Sequence, residues 1–566
     1  MRRLVLALVL GCGGTDGAEV PGDDPGATPP SPATPPVLTG DLGDMVEPIL
    51  VATPPGATFN GSVEVTLEVP TDPEVDIWFT TDGTAPQVGT GALYAGPFTL
   101  TSSTQIRAIA EVDAETVGTS PTFLALEAGT SQFSSDVPLI VLWSQREAPE
   151  VKTDVYSNFT LSVFEPPAGG RVQWPSDATL SVRNGLRVRG SSSSGFEKKP
   201  YRLEAWDPID PGNIDLDIPL LGMPTEADWV FLSPLVFDRA LMRNALIYRL
   251  SNAMGRYAPR SRFAEVFVAE FGEPVGLDDY VGVYVILERI ERDAERVSLT
   301  RLDPTDVALP ELSGGYIFKE DRLGPDDQGF VAGDAGGLFT FEQPFVFVEP
   351  SETDVRPEQY TYVGDQLDEL GDALAAPDFI HPTTGRHYDQ IIDVDSWIDH
   401  HILNVFAKNP DGFRLSGYFH KDRDGLIQAG PVWDFDRTMG CSDDSRAADP
   451  TWWDASNETS DCTFVFEHGF WLGLFRDPAF TSQYWQRWSD LIAAELSLAS
   501  VGAEIDAMEL ALAEAGPRNH ATWSGYPPRG GSFGSEVELL RAWISDRHTW
   551  VTLCLALPDP STCIGQ

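Results

Sequence analysis

Basic residues are scarce: the 566-residue chain holds 38 Lys and Arg against 86 Asp and Glu, a formal net charge of −48. A surface that acidic repels phosphate backbones, which argues against a nucleic-acid partner. It suits a protein that meets cations, metal–nucleotide complexes or basic partners. Long apolar runs are missing too. No stretch approaches the roughly 20 residues that a bilayer span requires, so no transmembrane helix is expected. Cysteine is rare, with five residues and no paired Cys-x-x-Cys spacing, which leaves a structural zinc site unsupported. The eight histidines show no metal-ligand spacing either. There is no Walker-type Gly-Lys-Ser/Thr loop, no Gly-x-Gly-x-x-Gly, no Gly-x-Ser-x-Gly elbow and no His-Glu-x-x-His, so hydrolase and metalloprotease readings lack their usual residues. What is present is 42% apolar residues, enough to bury large cores and to exclude wholesale disorder. The length predicts two to four domains.

The N-terminus, Met1-Arg2-Arg3 followed by the apolar Leu4 to Leu10 and then Gly11-Cys12, reads as a secretory signal over 1–12. Val9-Leu10-Gly11-Cys12 also resembles a bacterial lipobox, in which Cys12 becomes diacylated and anchors the protein to a membrane. A non-lipidated signal and a misassigned start codon are the alternatives. The expected location is therefore the bacterial cell envelope, as a lipoprotein, or the medium. Residues 13–48 are rich in Pro, Gly, Asp and Thr, cannot bury a core, and read as a tether. With Cys12 set aside, Cys441, Cys462, Cys554 and Cys563 remain. Two disulfides are the simplest expectation for an exported chain, with Cys441–Cys462 and Cys554–Cys563 favoured among three connectivities.

Residues 49–128 alternate in short strands broken by turns, such as Val63 to Val69 and Asp76 to Thr81 followed by Asp82-Gly83-Thr84-Ala85-Pro86. This predicts a small β-sandwich. The residues Trp78-Phe79-Thr80-Thr81-Asp82-Gly83-Thr84, Tyr94-Ala95-Gly96-Pro97-Phe98 and Ile106-Arg107-Ala108 resemble the immunoglobulin-like C-terminal module of chitobiases and hexosaminidases, which implies an immunoglobulin-like sandwich with a spacer or accessory role. Asp82 is read as a turn former. Residues 135–556 form a large mixed region, with strands expected at Val137 to Leu142, Gly185 to Gly190 and Val281 to Leu287. Helices are expected at Arg239 to Met254, Tyr360 to Ala375, Asp395 to Phe406, Thr481 to Leu496, Val501 to Ala515 and Glu536 to Leu555. Residues 557–566 are a tail. Strand-rich first and helix-rich second halves predict an α+β domain with two lobes.

Two segments could carry chemistry. Asn409-Pro410-Asp411-Gly412 precedes a hairpin-like stretch, and Pro431-Val432-Trp433-Asp434-Phe435-Asp436 follows it. One carboxylate orienting an attacking hydroxyl and a second holding Mg²⁺ is the kit that phosphoryl transfer requires. A plain turn and a solvated strand end account for the same residues on spacing alone. Arg187 to Leu203 places a Ser/Gly loop between two strands with Lys198 and Lys199 after it, so flexible backbone and compact cations could meet phosphates. A solvated hairpin is its alternative.

Together these segments resemble the spore-coat protein H (CotH) family of atypical protein kinases. The resemblance rests on Arg187-x-Arg189-Gly190-x-Ser192-Ser193 with Lys198-Lys199-x-Tyr201-Arg202, on Asp238 to Asn244, on Gly282 to Glu288 and on Gly314 to Lys319. Asn409-x-Asp411, Gly430 to Asp436 and the closing segment Ser535 to Trp550 continue it in order over about 400 residues. It implies a two-lobed kinase-like fold that uses ATP and Mg²⁺ or Mn²⁺ to phosphorylate Ser or Thr of a protein. It gives Asp411 the catalytic-loop role and Asp434 the metal-ligand role, with Asp436 a second ligand. Lys198 or Lys199, with Arg202, would face the ATP phosphates, and Glu288 would lie at the lobe junction or cap a strand. Some members carry Asn a few residues after the catalytic Asp, where this chain has Ser416, a poorer metal ligand. The rival function is a non-catalytic surface or envelope protein, since ATP is scarce outside the cytoplasm, and a third is carbohydrate binding through Trp78. His400-His401 is read as surface plus packing, Cys441 to Asp444 as a solvated loop, and Trp452-Trp453 as packing or cleft wall.

Overall fold

The strand Leu139–Ser144 (β1) shows how this sequence builds its scaffold. Alternate residues of a strand face opposite sides, and here both sides are apolar. Ile140 and Leu142 join one buried cluster with Leu161, Leu203, Trp229 and Ile286, whereas Leu139, Val141 and Trp143 join another with Trp174 and Phe267. A strand covered on both faces reads as a continuous apolar run. Six further strands share this environment: Ser157–Phe164 (β2), Leu180–Val188 (β3), Tyr201–Ala205 (β4), Asp228–Leu232 (β5), Ser261–Ala269 (β6) and Tyr280–Glu288 (β7). They close a barrel in the order β1-β2-β3-β4-β5-β7-β6, and β6 returns to β1 as its one parallel pairing. Closure leaves no unpaired edge.

The computed structural model describes residues 50–145, 149, 151–210, 212–324, 329–351, 353–455 and 464–563. The expected signal, Cys12, the tether and Cys462 lie outside the described residues.

A second antiparallel sheet follows the barrel, built from Tyr316–Glu320 (β8), Gly329–Phe330 (β9), Phe345–Glu349 (β10), Gly417–Lys421 (β11) and Ile427–Ala429 (β12) in the order β9-β10-β8-β11-β12. The helices are Arg243–Ala253 (α1), Pro357–Ala375 (α2), Val394–Ala407 (α3), Phe470–Leu474 (α4), Pro478–Ala493 (α5), Leu498–Ala511 (α6), Ala515–Thr522 (α7) and Phe533–Leu555 (α8). The largest core joins the outer face of β7 (Val283, Val285, Leu287) to α1, α3 and α8 through Leu246, Trp397, Leu403 and Leu540. The protein is α+β with an N-terminal all-β region.

Two caps decide where the helices meet the rest. Asp393 accepts from the Ser396 N–H at the start of α3, as an N-cap should. At its other end Arg547 of α8, fully buried, donates from Nη2 to the Val405 carbonyl (2.5 Å), which also takes the Lys408 N–H, and from Nε to that of Phe406 (3.3 Å), in the last turn of α3 where helical partners run out. Burial pushes the Arg547 guanidinium down to about 9.

The β-sandwich has its own core of Leu50, Phe59, Val65, Leu67, Ile106 and Phe123. It is fastened to the barrel: Arg107 donates from Nε to the Pro208 carbonyl (3.1 Å) and from Nη2 to that of Ile209 (3.2 Å), and Thr122 N donates to Ser181 Oγ (2.8 Å). Asp82 does form a turn, accepting from Thr84 N (3.1 Å) and Thr84 Oγ1 (2.6 Å). The hydrogen bond from the Thr84 side chain holds its carboxyl below the ordinary range.

Of the expected disulfides, Cys554–Cys563 is formed. Among the described residues Cys441 is a free, buried thiol, and the other expected pairing, with Cys462, lies outside them. Among the described residues no helix is long and apolar enough to cross a membrane.

Candidate active site

A cleft of about 920 Å³ lies between β3, β4, β5 and β7 of the barrel and β8, β10 and β11 of the second sheet. Its charge is unlike that of the chain as a whole. Lys152, Arg187, Arg189, Arg202, Arg289, Lys319, Arg322, Arg414, Arg437 and Arg446 line it, ten of the 38 basic residues, against seven aspartates. A basic concavity in an acidic molecule focuses its field on an anion.

The acidic side of the cleft comes from two loops that local structure holds together. Helix α3 ends at Lys408 in the left-handed conformation (φ 52°), which turns the chain toward Asn409. Asn409 Oδ1 accepts from the Asp411 N–H (3.0 Å), while its Nδ2 donates to Asn404 Oδ1 (3.0 Å) and to the Asp434 carbonyl (3.3 Å). One amide thus ties the Asp411 loop to the Asp434 loop. Gly412 is required there, because a Cβ would collide with Asn404 Oδ1. Asp434 itself has φ 66°, tolerated by Asp better than by most residues. Helix α1 holds it: Tyr248 OH accepts from Asp434 N (3.4 Å) and Asn244 Oδ1 from Phe435 N (2.7 Å). Trp433 and Phe435 are buried, so the intervening Asp434 and the following Asp436 are left for the cleft.

Electrostatically the two acids are poorly compensated. Among the described residues neither carboxylate accepts a hydrogen bond, and Arg189, the nearest opposing cation, stacks over the Trp433 ring at 5.3 Å instead of pairing. The crowding of the cleft walls pushes the Asp434 carboxyl up to about 6, with the Asp411 charge adding to it, even though water reaches the side chain. Burial and Asp434 raise Asp436 well above the ordinary range. Asp411 is different: its Oδ1 takes Arg414 at 2.8 Å and Arg446 at 3.3 Å, and its Oδ2 takes part in neither pair. Among the described residues no group of three or more His, Cys, Asp or Glu could hold a metal by itself. The residues present fit a divalent cation bound jointly with phosphates, since Mg²⁺ sites commonly use one or two carboxylates plus phosphate and water. Like charges lacking a counter-ion are what such a cation would relieve.

Asp411, Asp434, Asp436 and Arg202 all line the cleft, Arg202 paired to Asp228 at 3.0 Å. Burial pushes Asp228 up, but Arg289 and Arg202 outweigh it and hold the carboxyl below its ordinary value. The lysines require a correction. Lys198 turns away from the cleft into the protein, where Nζ donates to the carbonyls of Pro234 (3.2 Å) and Val283 and to Asn519 Oδ1 (2.8 Å), so all three ammonium protons have acceptors. Desolvation lowers its pKa well below the ordinary lysine value. Lys199 does not line the cleft either; its Nζ donates to the Ser194 carbonyl (3.1 Å) and steadies the serine loop that does. Glu288 is buried outside the cleft, accepting from Tyr257 OH (3.1 Å) and from Arg260 N and Nε (both 2.8 Å), so it pins the end of β7.

The cation nearest the role expected of Lys198 is Lys319 on β8, which lines the cleft with its Nζ 2.6 Å from Asp321 and 5.7 Å from the Tyr418 ring. It falls within the Gly314–Lys319 motif, but nothing in its spacing says which face of β8 it takes. Arg437, which directly follows Asp436, donates to Ser192 Oγ (3.3 Å) and so links the serine loop to the acidic loop. Asn404 and Tyr248 had no sequence signal, whereas Asn244 closes the Asp238 to Asn244 motif, with nothing in its spacing to show which loop it holds.

Two other expectations change, and the packing read for Trp453 stands. His400 and His401 are both buried, not at the surface; His401 bridges Tyr484 OH (2.8 Å) and the Val465 carbonyl (2.7 Å) amid Phe413, Trp471 and Phe475. Cys441 and Ser442 are buried, and Asp444 is held in the cleft by Arg446 (2.7 Å) and Arg437 (3.3 Å), so this loop is not simply solvated. Trp453 packs on Trp485 and Trp550, and neither it nor Trp452 lines the cleft.

Comparison with known proteins supplies two matches. The profile of the chitobiase/beta-hexosaminidase C-terminal domain matches residues 54–122, and that of the CotH kinase protein family matches residues 186–551. No curated protein matches the chain.

Proposed function

Since the chain belongs to the CotH kinase protein family, we propose that it is an exported ATP-dependent phosphotransferase, acting on Ser or Thr hydroxyls of a protein substrate. Barrel and second sheet serve as the two lobes, with the nucleotide between them. The observation that carries this reading is the cleft itself, where ten basic side chains in a chain of net charge −48 surround a pair of uncompensated aspartates. A polyphosphate with a divalent cation matches both halves of that pattern.

In this reading Arg189, Lys319 and Arg437 hold the phosphates. Asp434 and Asp436 hold the cation, which when bound neutralises phosphate charge. Asp411 Oδ2 orients the acceptor hydroxyl and takes its proton, while Arg414 and Arg446 fix the carboxylate through Oδ1. Asn409 keeps the two acidic loops in register. The β-sandwich, seated on the barrel, acts as a spacer between a membrane-attached tether and the enzyme.

The test is phosphate transfer from labelled ATP, with Mg²⁺ or Mn²⁺ and a generic protein substrate. The wild type should label it and Asp434→Ala should not; equal labelling by both would end the proposal. Mg-ATP should also raise the melting temperature, as RT ln(1 + [L]/Kd) requires of any ligand of the folded state. Ser416 on the cleft wall favours a second reading, a nucleotide-binding protein without transfer activity, which the pair of measurements separates: a thermal shift with no labelling.

A further inference from the structure

Protein kinases hold two Mg²⁺ ions at the transferring phosphate, through the Asp of the metal loop and an Asn five residues after the catalytic-loop Asp. In this cleft the residue five after Asp411 is Ser416, which lines the wall. The chain makes one turn from Asp411, whose carbonyl accepts from the N–H groups of Arg414 (3.0 Å) and Leu415 (2.8 Å). Ser416 then takes the left-handed conformation (φ 54°) and delivers the chain to β11. Asn is far better suited than most residues to that conformation, so the backbone accepts an amide that the sequence does not supply. The Ser416 hydroxyl also stops one bond short of where an Asn carbonyl oxygen would reach.

A fixed cation stands by the acids instead. Arg437 directly follows Asp436 and, of the cations in the cleft, acts most strongly on it. It also acts on Asp434, after Arg189. Its guanidinium is held from three sides. Nη1 lies 3.3 Å from Asp444, Nη2 donates to Ser192 Oγ (3.3 Å), and Cζ sits 3.8 Å from the centre of the Phe237 ring. A second dication would have to share Asp434 and Asp436 with the first and with this guanidinium, and like charges in one site repel. Among the described residues no group of three or more His, Cys, Asp or Glu is there to divide between two ions.

We propose that the cleft takes its nucleotide with a single divalent cation, held by Asp434 and Asp436, and that the Arg437 guanidinium supplies the charge a second cation would bring. This rests on the nucleotide reading given above. Positive charge at that place is then built into the chain and does not depend on metal concentration.

The experiment is anomalous diffraction from crystals of the full chain grown with Mn²⁺ and a non-hydrolysable ATP analogue, which separates ions in the cleft from ions on the acidic surface. The wild type should show one cleft Mn²⁺, on Asp434 and Asp436. Ser416→Asn combined with Arg437→Met returns the missing oxygen and removes the guanidinium, and should show two. The left-handed backbone accepts Asn, and Met keeps an apolar contact with Phe237. The wild-type count tests the inference by itself, without any variant. In solution, electron paramagnetic resonance should find about one nucleotide-dependent Mn²⁺ per wild-type chain and about two in the double variant. Two cleft ions in the wild type, or one in the double variant, would overturn the inference and leave the nucleotide reading intact. A cleft that holds neither nucleotide nor Mn²⁺ would overturn both.

Discussion

Charges gather in two regions of this molecule, one buried and one open to water, and the two treat them oppositely. Under the barrel, Lys198 satisfies all three protons, and Arg243 is fully buried between Asp238 (2.7 Å) and the Thr438 carbonyl (3.0 Å). Glu288 is likewise engaged by Tyr257 and Arg260. In the cleft, among the described residues, Asp434 and Asp436 accept nothing and Arg189 stacks without pairing. Buried charges that are matched hold a fold together; charges held near one another without partners cost stability and await a ligand. The difference assigns structure to the first set and function to the second.

Removing one member of a matched set should have the largest effect. Arg243→Met strands the Asp238 carboxylate and should cost about 3–5 kcal/mol, read as a lower urea midpoint. Next is Lys198→Met, which removes three buried hydrogen bonds, Asn519 Oδ1 keeping only the Val283 N–H, and should cost about 2–4 kcal/mol. The surviving folded fraction should still bind Mg-ATP, and a selective loss of nucleotide binding with unchanged stability would reverse the assignment of this lysine. Arg189→Met, in the cleft, should weaken Mg-ATP about tenfold, or roughly 1.4 kcal/mol, with little change in stability. Smallest is Asp434→Asn, which should stabilise the nucleotide-free protein by about 1 kcal/mol at pH 7, a figure discounted because water reaches the side chain. The sign follows from a folded-state pKa raised to about 6: the native protein keeps a proton that the unfolded chain gives up. Wild-type stability from this group is therefore present at low pH and lost as pH rises between about 4 and 6, so the gain from Asn should vanish in melts near pH 4. The same variant should lose the Mg-ATP shift.

The apolar periodicity located six of the eight described helices to within a few residues, missing the short α4 and α7: Tyr360 to Ala375 is Pro357–Ala375, and Glu536 to Leu555 is Phe533–Leu555. Helix α1 starts later than Arg239 because Asp238 accepts from the Arg243 N–H and fixes the first turn there. Closure of the barrel had no local signal, since the parallel β6–β1 pairing joins residues more than a hundred positions apart. Asp411 and Asp434 were legible because motif order survives without knowledge of the fold. The direction of a lysine was not: Lys198 and Lys199 are neighbours, and only the tertiary acceptors around each decide where its ammonium goes. His400 and His401 illustrate the same limit, for polar residues on a helix read as surface until the aromatic groups that bury them are known.

The Arg547 guanidinium sits on two carbonyls in the last turn of the helix that delivers Asp411, yet it belongs to the final long helix of the chain. A polypeptide emerging from the ribosome would therefore carry both acidic loops long before the wedge that sets them. The cleft would be complete only after residues 533–555 have been made, so an unfinished chain should stay inert toward nucleotide.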